Sequence, residues 1–170
     1  MDNRQVITGE RVYLRPIEEA DTDLVLSWRN APSVVNNFIY REPITKEEHL
    51  EWIRTKVEPG LVHQFVVVLK ETEEPLGVVY LQHIEDGQAE SGIFFSTSAS
   101  GAGYGAESYK LLGEYAFQVL GLHCLTARIL SYNEGSIVLH EKCGYEQRKD
   151  GAEEIVIDGR KETVLWYEKH

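Results

Sequence analysis

The chain has 170 residues, 42% of them hydrophobic, which allows a sizeable core and excludes a disordered segment. Its formal net charge of −11 argues against general nucleic-acid binding, which needs a basic surface, and is compatible with a cationic substrate such as an amine. No apolar run is long enough for a bilayer and residues 1–5 lack the regions of a signal peptide, so a cytoplasmic location without a membrane partner is expected.

Residues 11–15 alternate charged and apolar side chains and predict a strand ended by Pro16. Residues 18–28 predict a helix with an acidic first turn and Leu24 and Trp28 on one face. Asn30-Ala31-Pro32-Ser33 breaks it, and 34–43 reads as irregular. Thr45-Lys46-Glu47-Glu48 has the form of a capping box and opens a second helix, with Leu50, Ile53 and Val57 at helical spacing. The period then changes. Residues 64–69, 76–84 and 89–95 read as strands joined by polar turns, an antiparallel meander. A glycine-rich stretch at 100–106 leads into a helix over 107–120, with Tyr109, Leu112, Ala116 and Val119 as its buried stripe. Residues 124–130 predict a strand lying parallel to the one before the glycines, because a helix provides the crossover. Residues 133–142 predict a short helix stopped by Gly144. Runs at 154–157 and 163–167 flank Asp158-Gly159, a hairpin signal whose longer link adds a bulge. Cys124 and Cys143 form neither a disulfide framework nor a metal spacing; they read as buried apolar residues, and no metal is expected. The pattern is α/β (α+β): a mixed, mostly antiparallel central sheet with helices on both faces.

The stretch Ser100-Gly101-Ala102-Gly103-Tyr104-Gly105-Ala106 lies between a strand and a helix. Glycine lets backbone N–H groups face a ligand, and a helix N-terminus favours an anion, so a phosphorylated cofactor is expected there. Gly101, Gly103 and Ala106 also fit a dinucleotide fingerprint. That fingerprint opens a run of βαβ units with an acidic residue about 20 residues on. Here it follows a meander, and no Asp or Glu stands near Thr126. The alternative is a tight strand-to-helix connection holding nothing.

A second stretch runs Asn133-Glu134-Gly135-Ser136, an aliphatic run, then His140-Glu141-Lys142-Cys143-Gly144-Tyr145. With the glycine loop and the order of elements, it resembles the GNAT superfamily of acetyl-CoA-dependent N-acetyltransferases over nearly the whole chain. The resemblance implies one N-acetyltransferase domain over 1–170, with a splayed strand pair at the cofactor site. It implies acetyl-CoA as cofactor: Gly101, Ala102, Gly103, Tyr104, Gly105 and Ala106 at the pyrophosphate, and Phe94, Phe95 and Ser96 along the pantetheine arm. Asn133, Ser136 and Lys142 would stand on the far side, although Asn133 also reads as a helix N-cap.

Two positions depart from the family pattern. Ser100 replaces an Arg or Gln, and His140 stands where a Tyr often protonates the leaving thiolate. His140 is therefore the candidate acid, with packing against the cofactor as its other reading and Tyr132, Tyr145 or water as other donors. Glu90 is the candidate base, with a solvated strand-start charge as its other reading; Glu42, Glu85 or a water chain are further choices. The resemblance extends to amino-sugar-nucleotide acetyltransferases and, more loosely, to the ribosomal-protein-alanine and spermidine branch. It implies an acceptor wall at Trp28, Arg29, Asn30, Phe38 and Tyr40, with Arg29 suited to a phosphate. For Trp28 and Trp52, core packing is the competing reading. His49 and His63 receive no role. The expected partner is a small-molecule or peptide amine, and a homodimer stays open. The expected reaction is direct transfer to an amine in a ternary complex, the acceptor being an amino-sugar nucleotide, a ribosomal-protein N-terminus or a polyamine. A non-catalytic acyl-CoA-binding module is the remaining alternative.

Overall fold

The computed structural model describes residues 6–99 and 102–170. One nine-stranded sheet organises them: β1 (Ile7–Thr8), β2 (Val12–Pro16), β3 (His63–Leu69), β4 (Pro75–Glu85), β5 (Gln88–Phe95), β6 (Cys124–Leu130), β7 (Glu146–Gln147), β8 (Glu153–Ile157) and β9 (Arg160–Lys169). Its order is β1-β2-β3-β4-β5-β6-β9-β7, with β8 also on β9. Every pairing is antiparallel except β5 with β6. The helices are α1 (Thr22–Arg29), α2 (Pro32–Val35), α3 (Lys46–Trp52), α4 (Tyr104–Glu114) and α5 (Glu134–Lys142).

The central strand β3 is a run of β-branched residues buried on both faces, as a strand covered on two sides requires. Val67 and Val79 face α4 and its Tyr109, Leu112 and Ala116. Their neighbours Val66, Val68 and Val78 face α1 and its Val25 and Trp28. Alternation along the strands thus gives two cores, one under each helical layer.

Short-range signals account for most boundaries. Thr45 Oγ1 accepts from Glu48 N at 3.2 Å and starts α3. Gly144, at φ 88°, stops the chain after α5. Three expectations are corrected. Val119 is 39% exposed, because α4 continues into a π-helical turn, Tyr115–Val119, that rotates it off the stripe and turns Tyr115 inward. Leu24 is also 39% exposed; α1 buries Val25 and Trp28 instead. The last hairpin is tight, without a bulge: Ile157 faces Arg160, and Asp158 and Gly159 both take positive φ. Strands β1 and β7 and the turn-long α2 carry too short a period to be read ahead of the structure. Among the described residues no helix is long and apolar enough to cross a membrane.

Candidate active site

The parallel pairing of β5 and β6 is short. Gln88, Ala89 and Glu90 meet Cys124, Leu125 and Thr126, and there it ends. Past that point β5 stays with β4, while β6 stays with β9. The two strands diverge, and among the described residues the edge of β5 from Ser91 to Phe95 has no strand partner on that side. Its outward N–H and C=O groups are open to an extended ligand. A cavity of about 1180 Å³ occupies the gap, running from the start of α4 to Arg29.

At one end lie Gly103, Tyr104, Gly105 and Ala106. Gly103 precedes α4 at φ 81°, a conformation that favours glycine. Glu107 N donates to Gly103 O at 3.2 Å, the first backbone bond of the helix among the described residues. The amides of 104–106 are therefore the orphan donors of a helix start and form the positive end of its dipole. Arg11 braces this loop: Nε pairs with Glu107 at 2.8 Å, Nη1 donates to Ala102 O at 2.9 Å, and the guanidinium covers the Tyr104 ring at 4.7 Å. Ala102 itself is outside the cavity wall, and Gly101 and Ser100 lie outside the described residues. Across the gap stand Asn133, Ser136 and Lys142 of the α5 end, with Phe94, Phe95 and Ser96 along β5. Asn133 Oδ1 caps α5, accepting from Ser136 N at 3.2 Å. Orphan amides, an open strand edge and a long cleft are a fitting cradle for a CoA with its anionic pyrophosphate and amide-bearing arm.

His140 lines the cavity, yet it is 3% exposed and both ring nitrogens are engaged. Nδ1 lies 2.7 Å from Ser136 O, which only accepts, so Nδ1 carries the proton. Nε2 then accepts from the Tyr109 hydroxyl at 3.0 Å. Burial holds the imidazole below its usual range, so the ring is neutral at pH 7 and has no free proton. The chain continues through Ser91, 2.6 Å from Tyr109 Oη and 2.8 Å from Tyr145 Oη. Tyr145 is thus inside this buried network. Tyr132 is held by Asn36 O and Arg41 on the surface.

Glu90 sits at the apex of the gap and faces the cavity. Its Oε2 accepts from Arg128 Nε at 2.6 Å and its Oε1 from Gln82 Nε2 at 2.6 Å. To take a proton from an ammonium it must give up charge already balanced by Arg128, which argues for a positioning anion over a free base. Tyr80, on the neighbouring strand, was missed by sequence reasoning. A Cβ on Gly92 would stand 2.2 Å from the Tyr80 hydroxyl, so the phenol lies across β5 just past the last β5–β6 pair. Its ring is half-buried by exposed area, yet dense surroundings push the hydroxyl up to about 12, and no hydrogen bond to it is found among the described residues. The signal available was Tyr80 and Gln82 on the same face of a strand otherwise apolar.

At the acceptor end, Arg29 and Phe38 line the cavity with Tyr40 at its mouth. Two expected wall residues do not. Trp28 packs into the core with Val25 and Val66, the face opposite Arg29's tip. Asn30 clamps the backbone of Ile44, donating to its O and accepting from its N, each at 3.1 Å. His49, given no role from sequence, lines the cavity with Trp52.

Residues 11–146 match the model of the acetyltransferase (GNAT) domain. The chain is similar to an uncharacterized N-acetyltransferase (p20) of Bacillus licheniformis, 26% identical over 84% of this chain and 83% of that one. It is 28% identical to the spermidine N(1)-acetyltransferase of Escherichia coli K12, over 93% of this chain and 85% of that one. In fold it is similar to spermidine N-acetyltransferase from Vibrio cholerae solved with CoA and spermine, with TM-score 0.85 and 23% identity over 94% and 95% of the two chains.

Proposed function

The chain belongs to the GNAT acetyltransferase family, and on that premise we propose that it transfers an acetyl group to the primary amine of an amino-sugar nucleotide, directly and in a ternary complex. It is an acetyl-CoA-dependent N-acetyltransferase. Acetyl-CoA, when bound, supplies an acetyl thioester open to amine attack. The observation that carries the reading is the divergence of β5 and β6 after Glu90, which opens one cleft from the α4 amides to Arg29.

In this reading the amides at 104–106 and Lys142 hold the pyrophosphate, with Gly103 supplying the turn. The β5 edge from Phe94 to Ser96 aligns the pantetheine arm, and Asn133 and Ser136 close the other side. Glu90, held by Arg128 and Gln82, orients the attacking amine, and its proton leaves to water in the open cleft. Tyr80 donates a hydrogen bond to the sulfur as it departs, a role a phenol that stays neutral to about pH 12 can fill. His140 is a positioning residue that fixes Tyr109 and the floor of the cleft. Burial raises the thiols of Cys124 and Cys143, which supports direct attack over an acetyl-enzyme.

A polyamine acceptor is the second reading, supported by the relatives named for spermidine and by the net charge of −11. Thiol release from acetyl-CoA against UDP-amino sugars, spermidine, spermine and N-terminal peptides separates the cases. The expected result is the highest kcat/KM with a UDP-amino sugar. A higher value with a polyamine or a peptide replaces that acceptor. Acetyl-CoA binding with no turnover of any amine replaces the enzyme with an acyl-CoA-binding module.

A further inference from the structure

The acceptor end of the cleft holds two buried nitrogens with no hydrogen-bond partner among the described residues, Arg29 Nη1 and His49 Nε2. Arg29 is 7% exposed and His49 5% exposed, and both side chains line the cavity. They come from α1 and α3, two helices that pack on each other.

Each residue has a structural job that leaves the unpartnered atom out. Arg29 Nη2 donates to Tyr40 O at 2.7 Å, and the guanidinium face lies 4.0 Å from the Phe38 ring centre. Those contacts hold the loop after α2, and a strut of that kind needs no second terminal nitrogen. Among the described residues no carboxylate pairs with Arg29, and burial alone pulls it below its usual range. A buried cation without a counter-ion is a costly arrangement to keep. His49 Nδ1 is 3.0 Å from Thr22 Oγ1. Burial favours the neutral ring, and the tautomer in which Nδ1 accepts from the Thr22 hydroxyl carries its proton on Nε2, the form that can donate to an anion. Two nitrogens, one of them on a permanent cation, are therefore left unanswered among the described residues in side chains that line the cavity.

We propose that Arg29 Nη1 and His49 Nε2 form an anion subsite that binds a phosphate or carboxylate oxygen carried by the acceptor, while the acceptor's amine stands toward Glu90. The subsite rests on the amine-acetyltransferase reading above and narrows it. The acceptor is an amine that bears an anionic group elsewhere in the molecule. A polyamine, whose polar groups are all cations at neutral pH, leaves both nitrogens unanswered and brings like charge to Arg29.

Paired acceptors that differ only in the anion test this. Glucosamine against glucosamine 6-phosphate is the phosphate arm, and Gly-Gly-amide against Gly-Gly is the carboxylate arm. In one arm the anionic member has a kcat/KM at least about tenfold higher than its neutral partner, as charge-assisted recognition by Arg predicts. Arg29→Met brings that ratio to within about twofold, and His49→Phe lowers it partway. Arg29→Lys, which keeps the charge, serves where Arg29→Met fails to fold, and it retains part of the preference. Equal values in both arms, or a ratio that Arg29→Met leaves unchanged, overturn the subsite. Calorimetry of UDP and of inorganic pyrophosphate on the CoA-saturated protein separates the two readings. If no amine is turned over but either anion binds and Arg29→Met weakens it about tenfold or more, the subsite stands and the acetyl-transfer assignment falls. If an amine is turned over and neither anion binds at millimolar concentration, the subsite falls alone.

Discussion

The two ends of the cleft are built from different materials. The α4 end is backbone: Gly103 at positive φ, the orphan amides of 104–106 and the open edge of β5. The Arg29 end is side chain: Arg29 and His49 with atoms unpartnered among the described residues, Tyr80 with no hydrogen bond to its hydroxyl among them, Glu90 tied to Arg128 and Gln82. Backbone groups are the same whatever the residue, so a cofactor held by them tolerates wide sequence change. Side chains from separate elements must be aimed by the fold, so the acceptor end is where relatives at 26–28% identity are free to differ. Substitutions at the first end should change the KM for acetyl-CoA modestly, and those at the second should change kcat or acceptor choice more.

The largest effect expected is from Tyr80→Phe. Losing the hydrogen bond to the departing sulfur should lower kcat by about 10²-fold, with the acetyl-CoA KM nearly unchanged in steady-state assays. An effect under threefold would remove Tyr80 from the chemistry and break the contrast at its strongest point. Next is Gly92→Ala. A Cβ there meets the Tyr80 ring at 2.1 Å, so the phenol must shift off the gap. We expect kcat to fall on the order of tenfold and stability by about 1–3 kcal/mol, read by chemical denaturation. Gly103→Ala tests the other end. At φ 81° a side chain strains the turn, which should cost about 1–2 kcal/mol and raise the acetyl-CoA KM several-fold while sparing kcat.

The smallest effect is on pH. Burial holds His140 below its ordinary value near 6.5, so in mild acid the unfolded chain takes up a proton that the folded one refuses. Stability is then fully present above about 6.5 and is lost as pH falls below it. Stability should drop between pH 7.5 and 5.5 by about 1 kcal/mol for such a group, and His140→Gln should remove its share of the drop, the rest coming from His49 and His63, which burial shifts the same way. The same variant separates positioning from acid catalysis, because the shape of its kcat–pH profile should match the parent. A lost limb in that profile would restore His140 as the proton donor.

How far the sequence could be read follows from range. The glycine at 103, the Asn133 cap and the Asp158-Gly159 hairpin are local signals, and each stands where its own backbone demands. Trp28 and Asn30 stood on the expected acceptor wall through the family resemblance, which points to a segment without saying what each of its side chains meets; for Trp28 the competing core reading is the one that holds. Trp28 met the sheet and Asn30 met Ile44.

By itself, the sequence determined the order of the longer strands and helices, the parallel crossover through α4, and the family to which the glycine loop and the 133–145 stretch point. Those follow from period, turn chemistry and capping, which act over a few residues. Only the tertiary structure decided which groups meet the gap. The pairing of β4 with β5 carries Tyr80 across Gly92. The packing of α1 on α3 aims Arg29 and His49 into one cavity. The buried hydroxyls of Tyr109, Ser91 and Tyr145 tie His140 into one hydrogen-bonded network beside the cavity. Each of these depends on contacts between residues far apart in the chain, where burial and unmet hydrogen bonds, not local propensity, set what a side chain can do.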